Sequence, residues 1–154
     1  MTEWSTRKVV GRAFSNAAES YVENATLQVQ VGEWLLEDLS RAHCYLDVGC
    51  GAGYMSQQRR SNGLAERVIG LDCAWQMLGQ QADTTGLVCA DMARPPFAPQ
   101  SFDALTSNLA LQWAADPVQA LVALLPLLKE GGSFSFSVPA PGSLVELSQS
   151  WRAA

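Results

Sequence analysis

Histidine is nearly absent from this 154-residue sequence, and its cysteines are scattered. The one histidine is His43, and the cysteines are Cys44, Cys50, Cys73 and Cys89. No two cysteines have CxxC spacing, and they do not cluster with histidine as a zinc site requires. We therefore expect no metal site. Scattered cysteines also indicate free thiols in a reducing compartment.

Positive charge is scarce as well, because 10 Lys and Arg face 15 Asp and Glu, giving a net charge of −5. A nucleic-acid backbone requires a dense positive surface, so we expect no nucleic-acid partner. Long apolar runs and a signal-peptide core are missing, so we expect no membrane partner and a soluble, cytoplasmic protein. With 48% hydrophobic residues, the chain can bury the core of a single domain.

What the sequence does contain is a regular alternation of helical and strand patterns. Apolar residues recur at helical spacing over residues 9–39. The patterns then predict strands over 44–48, 67–71, 86–90, 102–107 and 133–138, and helices over 54–60, 74–81, 117–128 and 144–151. Pro126 should kink or end the third of these helices early, and the glycines at 131 and 132 should mark its stop. Strands joined by helical crossovers predict an α/β fold with a doubly wound, mostly parallel sheet.

A glycine-rich loop follows the first predicted strand. Gly49, Gly51 and Gly53 form a GxGxG pattern, but Tyr54 stands where a dinucleotide fingerprint needs a third glycine or alanine. The Gly-Lys-Ser/Thr of a Walker loop is also missing. Nicotinamide and nucleoside triphosphate sites are therefore disfavoured.

Three aspartates lie at consecutive strand ends, where ligands of such sheets bind. Asp47 would repel a pyrophosphate but attract an ammonium or sulfonium group, and S-adenosylmethionine carries both. Asp72 is placed to accept hydrogen bonds from two ribose hydroxyls, and Asp91 from an adenine amine, with Met92 packed on the ring. Each aspartate alone could instead be a helix cap or turn residue. Together they predict S-adenosylmethionine as the cofactor.

Several segments resemble a known family. LDVGCGAG, LDCAWQML and CADMARPPFAPQSFDALTSNLALQW are similar to the motifs of class I S-adenosylmethionine-dependent methyltransferases. RKVVGRAFSNAAESYVENATLQVQ, SNLALQW and PGSLVELSQSW narrow the resemblance to the malonyl-acyl-carrier-protein O-methyltransferases of biotin synthesis. These segments span nearly the whole chain.

The resemblance implies a Rossmann-like core over residues 43–154 and an N-terminal helical segment over residues 1–42 that closes over the cofactor. It also implies residues that line or adjoin the acceptor, which are Gln112 and Trp113. The residues expected to line or adjoin the cofactor are Tyr21, Asp47, Gly49, Cys50, Gly51, Gly53, Asp72, Cys73, Met77, Asp91, Met92, Asn108, Leu109 and Ala110.

The implied reaction transfers a methyl group to the free carboxylate of malonyl-acyl carrier protein or malonyl-CoA. A carboxylate is already ionised at neutral pH, so we expect no catalytic base and no catalytic residue. Alignment and the exclusion of water should supply the acceleration.

The family's fold continues with further strands and a substrate-covering insertion. We therefore expect the cofactor half here, and a chain that binds S-adenosylmethionine but methylates poorly or not at all by itself. Two other functions remain open. They are methylation of another small acid or a quinone precursor, and a non-catalytic cofactor-binding module that pairs with another chain.

Overall fold

A five-stranded sheet forms the centre of the computed structural model, which describes residues 9–16, 18, 25–37, 39–83, 86–140 and 142–143. The strands are β1 (Ala42–Val48), β2 (Ala65–Asp72), β3 (Leu87–Cys89), β4 (Phe102–Asn108) and β5 (Leu128–Ser137). Their order is β3-β2-β1-β4-β5, and all four pairings are parallel. The direction of winding reverses between β1 and β4, which is where open α/β sheets bind ligands.

Helices connect the strands. They are α1 (Thr26–Glu37), α2 (Tyr54–Ser61), the single turn α3 (Trp75–Leu78) and α4 (Pro117–Leu124). Short 3-10 helices cover Leu111–Trp113 and Leu125–Leu127. Residues 9–16 are also helical, as the apolar spacing over residues 9–39 predicts. In the part of the chain that the structure describes, none of the helices combines the length and the hydrophobicity that a membrane span requires.

Both faces of the sheet are covered by helices. Successive side chains of a strand point to opposite faces, so neighbouring residues of β1 pack against different helices. Leu46 of β1 belongs to a buried cluster that includes Ala120 and Leu124 of α4. The adjacent Tyr45 belongs to a second cluster, which includes Met55 of α2 and packs against α1. The predicted doubly wound parallel sheet is therefore confirmed.

The prediction that glycines 131 and 132 stop a helix is wrong. α4 already ends at Leu124, close to Pro126, and β5 begins at Leu128, so both glycines lie inside the strand. The pairing of β4 with β5 shifts register between Phe102 and Ala104. Gly131 has a φ of 75° there, a backbone conformation that favours glycine. The glycines accommodate an irregularity in the strand. In the sequence, a glycine pair of this kind looks the same as one that ends a helix.

The remaining differences concern element ends. The helix predicted over 74–81 is only the turn Trp75–Leu78, and β1 and β2 both begin two residues before their predicted starts. The helix predicted over 144–151 lies outside the described residues.

Candidate functional site

The glycine loop after β1 folds back against the end of β2. The N–H groups of Gly49 and Cys50 donate to the carbonyl oxygen of Leu71 at 2.7 and 3.1 Å. Gly49 has a φ of 70°, and a Cβ atom at this position would collide with the Cβ of Ala110 at the end of β4. Glycine at position 49 therefore lets the loop backbone lie close to the ends of three neighbouring strands.

Asp72 holds this loop and keeps capacity for a ligand. Its Oδ2 accepts from the N–H of Gly51 at 2.9 Å, and its Oδ1 accepts from the N–H of Ala74 at 2.8 Å. Burial raises the pKa of Asp72, and these donors partly oppose that shift. Each carboxylate oxygen can accept a second hydrogen bond. The side chain can thus be a turn residue and a ligand acceptor at once.

A cavity of about 310 Å³ lies beside Asp72, and we call it the larger cavity. It brings together residues from the ends of β1, β2 and β4 and from the segment after β3, as the strand-end rule predicts. The predicted site residues that line it are Gly49, Gly51, Asp72, Cys73, Met77, Asp91, Met92, Asn108, Leu109, Ala110 and Trp113.

A smaller cavity of about 200 Å³ adjoins the larger one. Three further predicted residues line it, which are Asp47, Cys50 and Gly53. Gly49, Gly51 and Asn108 border both cavities. The loop after β1 and the end of β4 therefore form the boundary between the two spaces.

Asp47 is only 1% exposed, yet it borders the smaller cavity. Its Oδ2 accepts from the backbone N–H of Ser56 at 3.1 Å and from the Ser56 hydroxyl at 2.7 Å. Burial raises the pKa of Asp47 from 3.8 to about 6, although both Ser56 bonds act in the opposite direction. A cation bound in the smaller cavity would stabilise the charged form of this carboxylate.

The two residues predicted to adjoin an acceptor occupy different places. Trp113 lines the larger cavity, whereas Gln112 is not among the described residues that line it. The Gln112 Nε2 donates to the carbonyl oxygen of Leu109 at 2.7 Å, so this side chain contacts the backbone at the end of β4. Tyr21 lies outside the described residues.

The helical residues 9–16 pack over the larger cavity. Val10 and Phe14 line it, and the Phe14 ring meets Trp113 edge to face at 5.3 Å. A Cβ atom at Gly11 would lie 3.6 Å from the carbonyl oxygen of Cys73, so the segment contacts the turn after β2. The cavity is thereby covered on one side.

The larger cavity also has lining residues that the sequence reasoning missed. Arg94 lies in the loop after Asp91, and Asp116 caps α4 by accepting from the N–H groups of Val118 and Gln119. A polar residue before Pro117 is a recognisable cap signal, which could have identified Asp116. Nothing in the local pattern distinguishes Arg94 from a surface residue. Among the described residues, no cluster of His, Cys, Asp or Glu could hold a metal ion.

Comparisons with known proteins give one family and many relatives. A family described as "Methyltransferase domain" matches residues 46–136. Malonyl-[acyl-carrier protein] O-methyltransferase of Pseudescherichia vulneris is 41% identical, over 96% of this chain and 60% of the relative. The protein of that name from Yersinia pestis is 40% identical, over 95% of this chain and 56% of the relative. The chain thus spans somewhat less than two thirds of the length of these relatives.

Solved structures share the fold. A chain from the complex of the Haloferax volcanii Trm112 methyltransferase activator with a methyltransferase matches with a TM-score of 0.73 and 26% identity, covering 81% of this chain and 59% of that one. An S-adenosylmethionine dependent methyltransferase from Mesorhizobium loti matches with a TM-score of 0.62 and 29% identity, covering 71% of this chain and 52% of that one. The predicted Rossmann-like fold and the predicted family resemblance are confirmed.

Proposed function

The chain belongs to the methyltransferase domain family, and from this premise we propose that it binds S-adenosylmethionine across the two adjoining cavities and methylates the free carboxylate of a malonyl thioester. The observation that carries the cofactor assignment is the pair of carboxylates on either side of the glycine loop. Asp72 borders the larger cavity and Asp47 the smaller one. They suit the two chemically distinct ends of this cofactor.

The larger cavity suits the adenosine part. Asp72 has acceptor capacity left for two ribose hydroxyls, and Asp91 with Met92 offers a carboxylate and an apolar thioether to the adenine. The close approach of Gly49 to Ala110 leaves no room for a side chain at the loop, so a ligand reaches its backbone. At about 310 Å³, the larger cavity has the size of a small-molecule site.

The smaller cavity suits the amino-acid part. Its buried carboxylate, Asp47, accepts from Ser56 only at Oδ2, and no described donor bonds its Oδ1. An ammonium or sulfonium group nearby would offset the burial of this negative charge. The remaining predicted residues of the loop, Cys50 and Gly53, would line this end.

Residues 1–42 form the proposed closing segment and residues 43–154 the proposed cofactor core. Support comes from Val10 and Phe14, which line the larger cavity, and from Ala25, Gln28 and Val29, which line the smaller one. In this proposal Tyr21 closes over the cofactor from the same segment. Such a cover would exclude water from the reacting groups.

The acceptor assignment rests on the names of the relatives and on the chemistry of the site. The bound cofactor supplies an electrophilic methyl group, and an ionised carboxylate accepts it without a base. The chain's task is then to align the two groups, with Gln112 and Trp113 on the acceptor side. Malonyl-acyl carrier protein is the proposed substrate, and malonyl-CoA offers the same carboxylate. The described cysteines are free thiols, which supports a cytoplasmic location.

The acceptor is tested by following a radiolabelled methyl group from S-adenosylmethionine. We expect base-labile label on malonyl-acyl carrier protein and none on acetyl-acyl carrier protein, which lacks the free carboxylate. Malonyl-CoA in a parallel reaction shows whether the carrier is required. Equal labelling of the acetyl control would overturn the malonyl assignment. No label on either substrate from a chain that binds the cofactor would show that this chain alone does not transfer the methyl group.

A further inference from the structure

Ser137 stands at the end of β5, directly opposite Asn108 at the end of β4. Its hydroxyl group makes two hydrogen bonds there. Oγ accepts from the backbone N–H of Leu109 at 2.9 Å and donates to the side-chain Oδ1 of Asn108 at 2.8 Å. One hydroxyl therefore connects the backbone and the side chain of two consecutive residues that border the larger cavity.

The bond to Asn108 fixes the orientation of its amide. With Oδ1 on the Ser137 hydroxyl, the Nδ2 group donates to the backbone carbonyl oxygen of Gln28 in α1 at 2.8 Å. A carbonyl oxygen only accepts, so the amide nitrogen must face Gln28 and the amide oxygen must face Ser137. Ser137 thus acts on α1 through Asn108.

The bond to Leu109 supports an uncommon backbone conformation. Leu109 has a φ of 49°, in the left-handed region that residues other than glycine rarely adopt. Its N–H also donates to the Ser137 carbonyl oxygen at 3.1 Å. Strained conformations persist when surrounding contacts determine them strongly, and they cluster at ligand sites. Two acceptors from one residue supply such contacts here.

We propose that Ser137 is a positioning residue that sets the end of β4 and, through Asn108, holds α1 over the smaller cavity. The proposal rests on the proposed function, because the groups it positions are those assigned to the cofactor. Removal of the hydroxyl leaves Asn108 Oδ1 without its donor and frees the amide to rotate. Gln28 then loses its bond, and the helix residues that line the smaller cavity are held less firmly.

The test compares three variants of the full chain. Ser137→Ala removes the hydroxyl, and Ser137→Thr keeps it on a side chain that suits a strand. Ser135→Ala is the matched control, because Ser135 lies two residues earlier on the same strand face and its hydroxyl makes no hydrogen bond to any described residue. Two readouts are taken, which are the affinity for S-adenosylhomocysteine and amide hydrogen exchange of residues 26–37.

We expect Ser137→Ala to weaken binding about tenfold, the equivalent of one or two lost hydrogen bonds. It should also speed exchange in α1 of the ligand-free protein, with exchange in β1 and β2 unchanged. Ser137→Thr and Ser135→Ala should match the wild type in both readouts. If Ser137→Ala shows the same amide exchange and the same affinity as the wild type, the positioning role is overturned. Failure of the wild type to bind would overturn the cofactor assignment instead, while the exchange readout would still test Ser137.

Discussion

Asp47 and Asp72 combine structural and ligand-binding capacity in single side chains. Asp47 bonds to the first turn of α2 through Ser56, and Asp72 bonds to Gly51 in the glycine loop. As expected for isolated aspartates at strand ends, both satisfy local backbone N–H groups. Both also border a cavity. The turn role and the cofactor role are therefore compatible, because a carboxylate has more acceptor sites than these turns use.

Asp47→Asn tests the buried carboxylate through the pH dependence of stability. Because the folded pKa of about 6 lies above the ordinary 3.8, the fold favours the protonated form. This contribution to stability is complete below about pH 4 and is lost as the pH rises to about 6. It amounts to about 3 kcal/mol, at about 1.4 kcal/mol for each pKa unit.

Urea unfolding at pH 4, 5, 6 and 7 measures this effect. The wild type should lose this increment of unfolding free energy over that range, and Asp47→Asn should not. The exposed Glu130→Gln is a control that should follow the wild type. Parallel curves for the wild type and Asp47→Asn would contradict the burial argument.

At the scale of elements, α1 packs closely against α2 and the end of β4 because it contains Gly32. A Cβ atom at Gly32 would lie 2.9 Å from the Met55 sulfur, 3.1 Å from the Tyr54 ring and 3.2 Å from Asn108 Nδ2. Glycine inside a helix costs about 0.5–1 kcal/mol relative to alanine. The close approach of α1 to α2 and to the end of β4 is what this glycine makes possible.

Gly32→Ala should destabilise the protein even though alanine favours the helix. Overpacking costs about 1–3 kcal/mol, which exceeds the gain in helix propensity. We expect a net loss of about 1 kcal/mol in the free energy of unfolding, measured with urea. Gln30→Ala, on the exposed side of the same helix, changes propensity without the contacts and should be neutral or stabilising. A stabilised Gly32→Ala protein would show that the helix does not sit so closely.

The elements themselves were largely predictable, and their ends were less so. The spacing of apolar residues and the positions of turn residues are local signals. All five strands and the helix that ends near Pro126 could therefore be predicted. The place of Gly131 and Gly132 inside β5 could not be predicted, because only the pairing of β5 with β4 makes them part of a strand. Ser137 was missed for a related reason. Its role depends on Asn108, the last residue of β4, and on Leu109, which directly follows that strand.

At the scale of the whole molecule, the strand order determines where the site lies. β1 is central, and the winding reverses between β1 and β4, so the glycine loop meets the end of β4. The strand-end rule could therefore predict most of the lining of the larger cavity from sequence. It could not predict the cover by residues 9–16. The contact of Gly11 with Cys73 and that of Phe14 with Trp113 join distant parts of the chain without a periodic signal.

The central claim is that the two cavities form one S-adenosylmethionine site. Calorimetric titration of the wild type with S-adenosylhomocysteine tests it most directly, alongside Asp72→Asn and the control Asp83→Asn, which lines neither cavity. Asp72→Asn removes charge-assisted acceptors of two ribose hydroxyls, which should cost a factor of about 100 in affinity. We predict saturable one-to-one binding by the wild type and Asp83→Asn, strongly weakened in Asp72→Asn. No binding by the folded wild type, or equal binding by Asp72→Asn, would contradict the account.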